Sequence, residues 1–527
     1  MTIIPQRLLG EALIFSARKV SAKTAVIVKD AEYSYSDLEK SAEKLASHLI
    51  NSGIKKSDRI AIFMENSWMS IVSIYGITLS GAAFIVINPQ TKAEKLQYIL
   101  NDSGSRILIS TSLLKNEFSS ILKNAKTLEE IIITGEIDQV ETSHTTIRFE
   151  NFTNIISDKS KPSKLPNIIP NDLAALIYTS GSTGVPKGVM MTHQSMVFAT
   201  WSLIEYLRLS ETDRILLLLP LAFDYGLYQL LMAITVGGTL IVEQSFIFTA
   251  TIYENILRYK PTVFPGVPTI FAKMIASSNE RALVFECIQK VTNTAAALPT
   301  EFIPNLKKIF PNALIFKMYG LTECKRVCYL EPELIDEKPE SVGKAIPGTE
   351  VFLLSEQGLP VKPGESGILH VRGPHIMLGY WNEETLSRKM LKPGIFPGER
   401  ILISNDLFKM DDEGFLYFQG RTDDIIKTRG EKVSPLEIEN VIYKIDGVNE
   451  VAVIGVPDSI LGESIIAFVT LHSQNQVDET QIRKECNRKL ELFMVPQKVI
   501  ILDEMPKNSN DKINKKHLKE TYSDKYE

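Results

Sequence analysis

The stretch Leu173-Ala-Ala-Leu-Ile-Tyr-Thr-Ser-Gly-Ser-Thr-Gly-Val-Pro-Lys-Gly-Val189 decides how the rest of this chain is read. Leu173 to Ile177 is an apolar run that reads as a buried strand. His193 to Ala199 reads as the start of a helix. Between them, Gly181, Gly184 and Gly188 allow backbone N–H groups to line a concavity with no Cβ in the way. Thr179, Ser180, Ser182 and Thr183 add hydroxyl donors, and Lys187 adds a mobile point charge. A loop of this kind suits polyphosphate. It is not a Walker A loop, because the Gly-Lys-Ser/Thr ending is absent.

The chain has 527 residues, enough for roughly two to four domains. Its 44% hydrophobic and 23% charged content is that of a globular protein. A formal net charge of −5 provides no bulk basic field for nucleic acid or anionic lipid, so neither is expected as a partner. The four cysteines, Cys287, Cys324, Cys328 and Cys486, form no plausible disulfide or metal framework, and a reducing, cytoplasmic setting fits them. The N-terminus lacks the basic-then-apolar order of a signal peptide. The most apolar run, Ile215 to Leu221, is too short to span a bilayer, so no transmembrane segment is expected.

Outward from the glycine-rich stretch, strand and helix patterns alternate. Strands are expected over 24–28, 59–64, 83–88 and 107–110. Helices are expected over 67–79, 92–101 and from a Ser36/Glu39 capping box to His48. Towards the C-terminus, strands are expected at 214–220, 239–242, 262–268, 291–297, 314–318 and 351–354, with a helix at 227–236. The alternation predicts an α/β fold: mixed and parallel sheets with flanking helices. Past about Gly420 the chain turns charged and then builds a small α+β unit. The expected division is a large domain over 1–420 and a mobile lid over 421–527, with polar residues from Lys515 onwards frayed.

Four motifs together resemble the adenylate-forming superfamily, which comprises acyl-CoA synthetases, peptide-synthetase adenylation domains and luciferase. They are the Tyr178–Val189 string, Met318-Tyr-Gly-Leu-Thr-Glu-Cys324, Gly420-Arg-Thr-Asp-Asp-Ile-Ile-Lys-Thr-Arg-Gly-Glu-Lys-Val-Ser-Pro435 and Pro506-Lys-Asn-Ser-Asn-Asp-Lys-Ile513. The resemblance covers nearly the whole chain. It implies an AMP-forming acid–thiol ligase using ATP and Mg²⁺, with coenzyme A or a carrier-protein phosphopantetheine as the thiol.

Carried over residue by residue, the resemblance implies that Thr179, Ser180, Gly181, Ser182, Thr183, Gly184 and Lys187 hold the phosphates. Tyr319, beside Gly320, stacks on adenine. Thr322 contacts the α-phosphate, and Glu323 coordinates the metal. Asp406 clamps the ribose hydroxyls, although Asn405 replaces the usual Gly. Arg421 binds ribose and phosphate, and Lys432 pairs with a phosphate. Asp423 is the hinge, and Gly430 lies by the thiol tunnel. Lys512 is the catalytic lysine, although Asp511 stands where relatives have Gly. Ala295, Ala296 and Ala297 stand where relatives have Gly-Gly-Ala and narrow the acyl slot.

Phe223-Asp224 resembles the Phe-Asp pair of amino-acid-activating relatives, whose Asp holds the substrate ammonium. Asp224 either does that or caps the helix that follows. The acid is therefore an amino acid or a fatty or aryl acid, and any carrier protein is a separate chain. A non-thiol acceptor and a chain with lost catalysis stay open beside the ligase.

Overall fold

The computed structural model describes residues 6–136, 146–180, 185–244, 249–281, 283–422, 424–429, 431–458, 460–472, 477–508 and 512–523. Among these residues, two large sheets carry the fold. A nine-stranded sheet is parallel through its centre, in the order Leu314–Tyr319, Lys290–Asn293, Val263–Gly266, Arg214–Leu217, Thr239–Val242, Thr24–Val28. Antiparallel strands close its edges. A seven-stranded sheet runs Arg148–Asn151, Glu130–Thr134, Ile107–Thr111, Arg59–Phe63, Ala83–Ile87, Leu173–Ser180, Pro186–Thr192.

Side chains alternate across a strand, so each sheet has two distinct faces. Ile60 and Ile62 face one way, into a single core shared with Val26, Ile215 and Leu217 of the larger sheet. Ala61 and Phe63 face the other way, against Leu96 and Ile99 of helix Ala93–Ser103. Helices Trp68–Ser80 and Asp224–Val236 lie in the shared core and are buried almost all round, as their uniformly apolar sequences require. Ser67 caps the first of them, and Gly81 ends it at φ +81°. No helix among the described residues is long and apolar enough to cross a membrane.

A third, antiparallel sheet follows, built from Glu350–Leu354, Ser366–Arg372, Arg400–Met410, Leu391–Pro393 and Leu416–Arg421. Beyond it, residues 426–518 build cores of their own around Val448–Asp458 and Gly462–Leu471, with helices Pro435–Tyr443 and Glu479–Lys489.

The structure corrects four sequence expectations. The first long helix is Tyr35–Asn51, and its capping box is Ser34 with Asp37, not Ser36 with Glu39. The glycine-rich stretch does not pass directly from strand to helix: Pro186–Thr192 folds back antiparallel on Leu173–Ser180, pairing Thr179 with Lys187. The polar tail is not frayed: Lys515–Ser523 is a helix, anchored by Leu518, which is 1% exposed, and by Tyr522 against Phe468. The long strand Arg400–Met410, unforeseen, carries Asp406.

Candidate active site

Open parallel sheets gather ligands beyond the carboxyl ends of their strands. Three strand ends of the larger sheet meet that description here, two of them adjacent and the third beyond one intervening strand. Lys290–Asn293 leads into Thr294-Ala-Ala-Ala297, Leu314–Tyr319 into Gly320–Glu323, and Arg214–Leu217 into Phe223-Asp224.

Gly320 starts a tight reversal. A Cβ there would lie 2.1 Å from the Lys325 carbonyl oxygen, so only glycine permits this approach. Cys324 N donates to Leu321 O at 3.2 Å, and Val327 N closes the turn on Tyr319 O at 3.0 Å. Lys325 takes the left-handed region at φ 64°, uncommon for a side-chain-bearing residue and frequent at functional turns.

The structure brings several of the expected residues together. The Tyr319 hydroxyl donates to Asp406, 87 residues away and buried at 4% exposure. The Tyr319 ring sits edge-on to Phe408, with centroids 4.8 Å apart. Asp406 pairs across strands with Arg421. Asn405 lies within the strand Arg400–Met410, not in a turn, and its carbonyl accepts from Thr422 N at 2.7 Å. Tyr319, Asp406 and Arg421 therefore form one group.

Glu323 belongs to a second group. Its Oε1 accepts from the Tyr380 hydroxyl at 2.6 Å, and its carbonyl accepts from Met377 N at 2.8 Å. The same 377–381 segment is laced to the strand Pro186–Thr192: Leu378 N donates to Met190 O at 2.9 Å and Trp381 N to Gly188 O at 2.7 Å. The strand that carries Lys187 and the turn that carries Thr322 and Glu323 are thus held by one bridging segment. No cluster of three or more His, Cys, Asp or Glu side chains forms a metal cage among the described residues. Mg²⁺ is commonly held by one or two carboxylates, with water and substrate phosphates completing its shell. Glu323, oriented by Tyr380, is a suitable carboxylate.

Lys512 arrives from the C-terminal unit. Its loop is a clip: Lys507 bridges Ile513, and Asn508 N donates to Lys512 O at 2.8 Å. The clip delivers Lys512 Nζ to 4.9 Å from the Phe223 ring. Burial lowers the ammonium's pKa, the Asp224 carboxylate raises it, and the Arg421 cation lowers it further. Lys512, Asp224 and Arg421 therefore share one electrostatic environment.

Asp224 is the first residue of its helix, and the helix has no side-chain cap bond. The carboxylate instead meets Lys325 Nζ at 3.4 Å, with 12% and 2% of the two side chains exposed. Burial pulls the Lys325 pKa down to about 7, against the pull of Asp224, and Arg326 pushes in the same direction as burial. The chain itself thus places a cation, Lys325, beside Asp224. Sequence reasoning missed Lys325, Arg326 and Tyr380. The signal for the first two was there: adjacent cations in Cys324-Lys-Arg-Val-Cys-Tyr-Leu330, an otherwise largely apolar sequence.

Ala295 stands at φ 77°, a conformation suited to the glycine expected at such a position. Ala296 and Ala297 are exposed beside it. Gly181, Ser182, Thr183, Gly184, Asp423, Gly430 and Asp511 lie outside the described residues, as do the side chains of Ser180 and Lys432.

This fold, with a carboxylate-bearing turn and a lysine delivered from a separate C-terminal unit, defines an AMP-forming acid–thiol ligase. Residues 15–381 match the family model described as AMP-binding enzyme, and residues 437–512 match that of the AMP-binding enzyme C-terminal domain. The chain belongs to the AMP-binding enzyme family.

It is similar to a long-chain-fatty-acid–CoA ligase of Bacillus subtilis, 29% identical over 98% of this chain and 95% of that one. It resembles the structure of the anthranilate CoA ligase AuaEII in complex with anthranoyl-AMP (TM-score 0.89, 26% identity, 98% of each chain). It also resembles the o-succinylbenzoate coenzyme A synthetase of Bacillus subtilis in complex with ATP and magnesium ion (TM-score 0.80, 26% identity, 95% of this chain and 98% of that one).

Proposed function

We propose that this chain activates a carboxylic acid with Mg·ATP and transfers the acyl group to the thiol of coenzyme A. A carboxylate oxygen attacks the α-phosphorus, and pyrophosphate leaves. The thiol then attacks the acyl carbon, and AMP leaves. Catalysis of this kind needs charge stabilisation and in-line positioning more than a side-chain nucleophile. The observation that carries the reading is the approach of Lys512 to Phe223 and Asp224, which sets a cation from the C-terminal unit against the strand-end site.

In this reading Lys512 bridges the acid's carboxylate and the α-phosphate. Tyr319, Asp406 and Arg421 hold the nucleoside, and Glu323 and Thr322 serve the metal and the α-phosphate. Lys187 and the Thr179–Gly184 loop hold the outer phosphates. The unit over 421–527 is a lid that rotates about Asp423, withdrawing Lys512 and presenting Gly430 and Lys432 for the thiol step. Relatives named as CoA ligases support coenzyme A as the acceptor. A phosphopantetheine arm on a separate carrier protein would present the same thiol.

The deciding experiment measures pyrophosphate release across amino, aryl, fatty and dicarboxylic acids, then thioester formation with coenzyme A or a phosphopantetheinylated carrier. Pyrophosphate release and a coenzyme A thioester are expected. Release with no thioester from either thiol would point to a non-thiol acceptor, and no release would mean lost catalysis.

A further inference from the structure

Charge is unbalanced behind the reaction centre. Among the described residues Asp224 is the one carboxylate in contact with Lys325, and that contact uses one of the three ammonium N–H bonds. The next residue, Arg326, is 1% exposed. Its Nη1 donates to the Thr294 hydroxyl, while Nε and Nη2 make no hydrogen bond among the described residues. The surroundings offer little else. The Tyr225 ring lies 5.7 Å from the guanidinium, and the Tyr206 hydroxyl, which donates to Met318 Sδ at 2.9 Å, is a neutral hydrogen-bond partner of the Arg326 side chain. The Tyr228 ring, 4.6 Å from Lys325 Nζ, carries a hydroxyl that makes no hydrogen bond among the described residues.

Lys325, Arg326 and Lys512 gather about Asp224, with Arg421 beside Lys512; burial brings the Lys325 pKa down to about 7, so Arg326 is the permanent charge beside it. Asp224 answers Lys325, and the reacting carboxylate answers Lys512. Arg326 has no carboxylate within ion-pair distance among the described residues and cannot shed its proton. A buried, uncompensated guanidinium is costly, and an anion that reaches it relieves that cost. A fatty acid leaves Arg326 unmatched, and an amino acid brings another cation.

We propose that the acid activated here is a dicarboxylic acid, its second carboxylate received by Arg326 and the two remaining N–H bonds of Lys325. The inference rests on the reading that the acid lies between Lys512 and Asp224.

The test is ATP–pyrophosphate exchange by the full chain. Each dicarboxylate from malonate to adipate is compared with the monocarboxylate of equal carbon number and with glycine, alanine and aspartate. The best dicarboxylate should exceed its monocarboxylate by about 10²-fold in kcat/KM, the scale on which sites built for a polar group reject analogues lacking it. Arg326→Met, checked for an unchanged melting profile, should cut that preference at least tenfold, and Arg326→Lys should restore part of it. Robust exchange that favours a monocarboxylate or an amino acid overturns this inference alone. No exchange with any acid overturns the ligase reading as well. A folded Arg326→Met that keeps the full preference removes Arg326 from the assignment. Should Arg326→Met not fold, the wild-type panel still decides the substrate class.

Discussion

The Tyr319 hydroxyl donates to the Asp406 carboxylate, joining the end of a central parallel strand to the middle of an antiparallel one. The bond holds an acid, proposed to clamp the ribose, at a fixed distance from a ring proposed to stack on adenine. We predict that Tyr319→Phe, which keeps the ring and removes the donor, raises KM for ATP about tenfold, as expected when a charged group loses one hydrogen bond. Pyrophosphate release titrated with ATP measures this. An unchanged KM would show that the pair does not serve the nucleotide.

Lys512→Ala removes the cation that approaches Phe223 and Asp224. Acyl-AMP formation should slow by several orders of magnitude, because the stabilising charge acts on that step. Thioester formation from supplied acyl-AMP should stay nearly intact. Equal losses in both half-reactions would refute a role confined to adenylation.

Asp423→Pro fixes φ near −65° at the proposed hinge. If adenylation uses the arrangement seen here and thiol transfer needs rotation, the variant keeps the first half-reaction and loses the second. A variant normal in both would place the pivot elsewhere.

Ala295 holds a left-handed backbone, φ 77°, that costs an L-residue about 1–2 kcal/mol. Glycine relieves this cost but loses more entropy on folding, roughly 0.5–1 kcal/mol. Ala295→Gly should therefore raise stability by about 0.5 kcal/mol, seen as a small upward shift in Tm. A fall in Tm would mean the methyl makes contacts that outweigh the strain.

His193 sets a pH dependence of stability. Its ring is 1% exposed, and Nδ1 accepts from Leu9 N at 3.3 Å. Burial lowers its pKa to about 4, against the pull of Asp172 and Glu11. As the first residue of helix His193–Tyr206, it also meets the positive end of the helix dipole. Above about pH 6.5 the ring is neutral in both states and costs nothing. As pH falls from 6.5 towards 4, the unfolded chain takes the proton first, so stability falls. The loss from this group is about 2 kcal/mol at pH 5. Melting profiles at pH 7.5 and pH 5 should show that His193→Gln is less acid-sensitive than wild type by a corresponding shift. An identical acid shift in both proteins would exclude His193 as the cause.

Local sequence determined much of this protein. The uniformly apolar run from Trp68 to Ser80 could only be a buried helix, and Gly81 marked its end. The alternation of short apolar strands with helices specified parallel sheets, and four ordered motifs specified the ligase family. Such features are legible because spacing, glycine conformation and residue type act over a few residues.

What tertiary structure alone decided acts across long separations. The strands on either side of the glycine-rich stretch proved to be antiparallel partners, because Pro186–Thr192 finds its hydrogen-bond partners in Leu173–Ser180. The polar tail became a helix because Leu518 and Tyr522 reach an apolar face built by strands 448–458 and 462–471. The environment of Asp224 was the largest revision. One residue in a sequence carries no record of its counter-ion, and this counter-ion, Lys325, lies 101 positions away on a left-handed turn that aims it inward. Burial then gives the adjacent Arg326 its consequence. On a surface, water would screen its charge. Beneath the strand ends, that charge needs an anion.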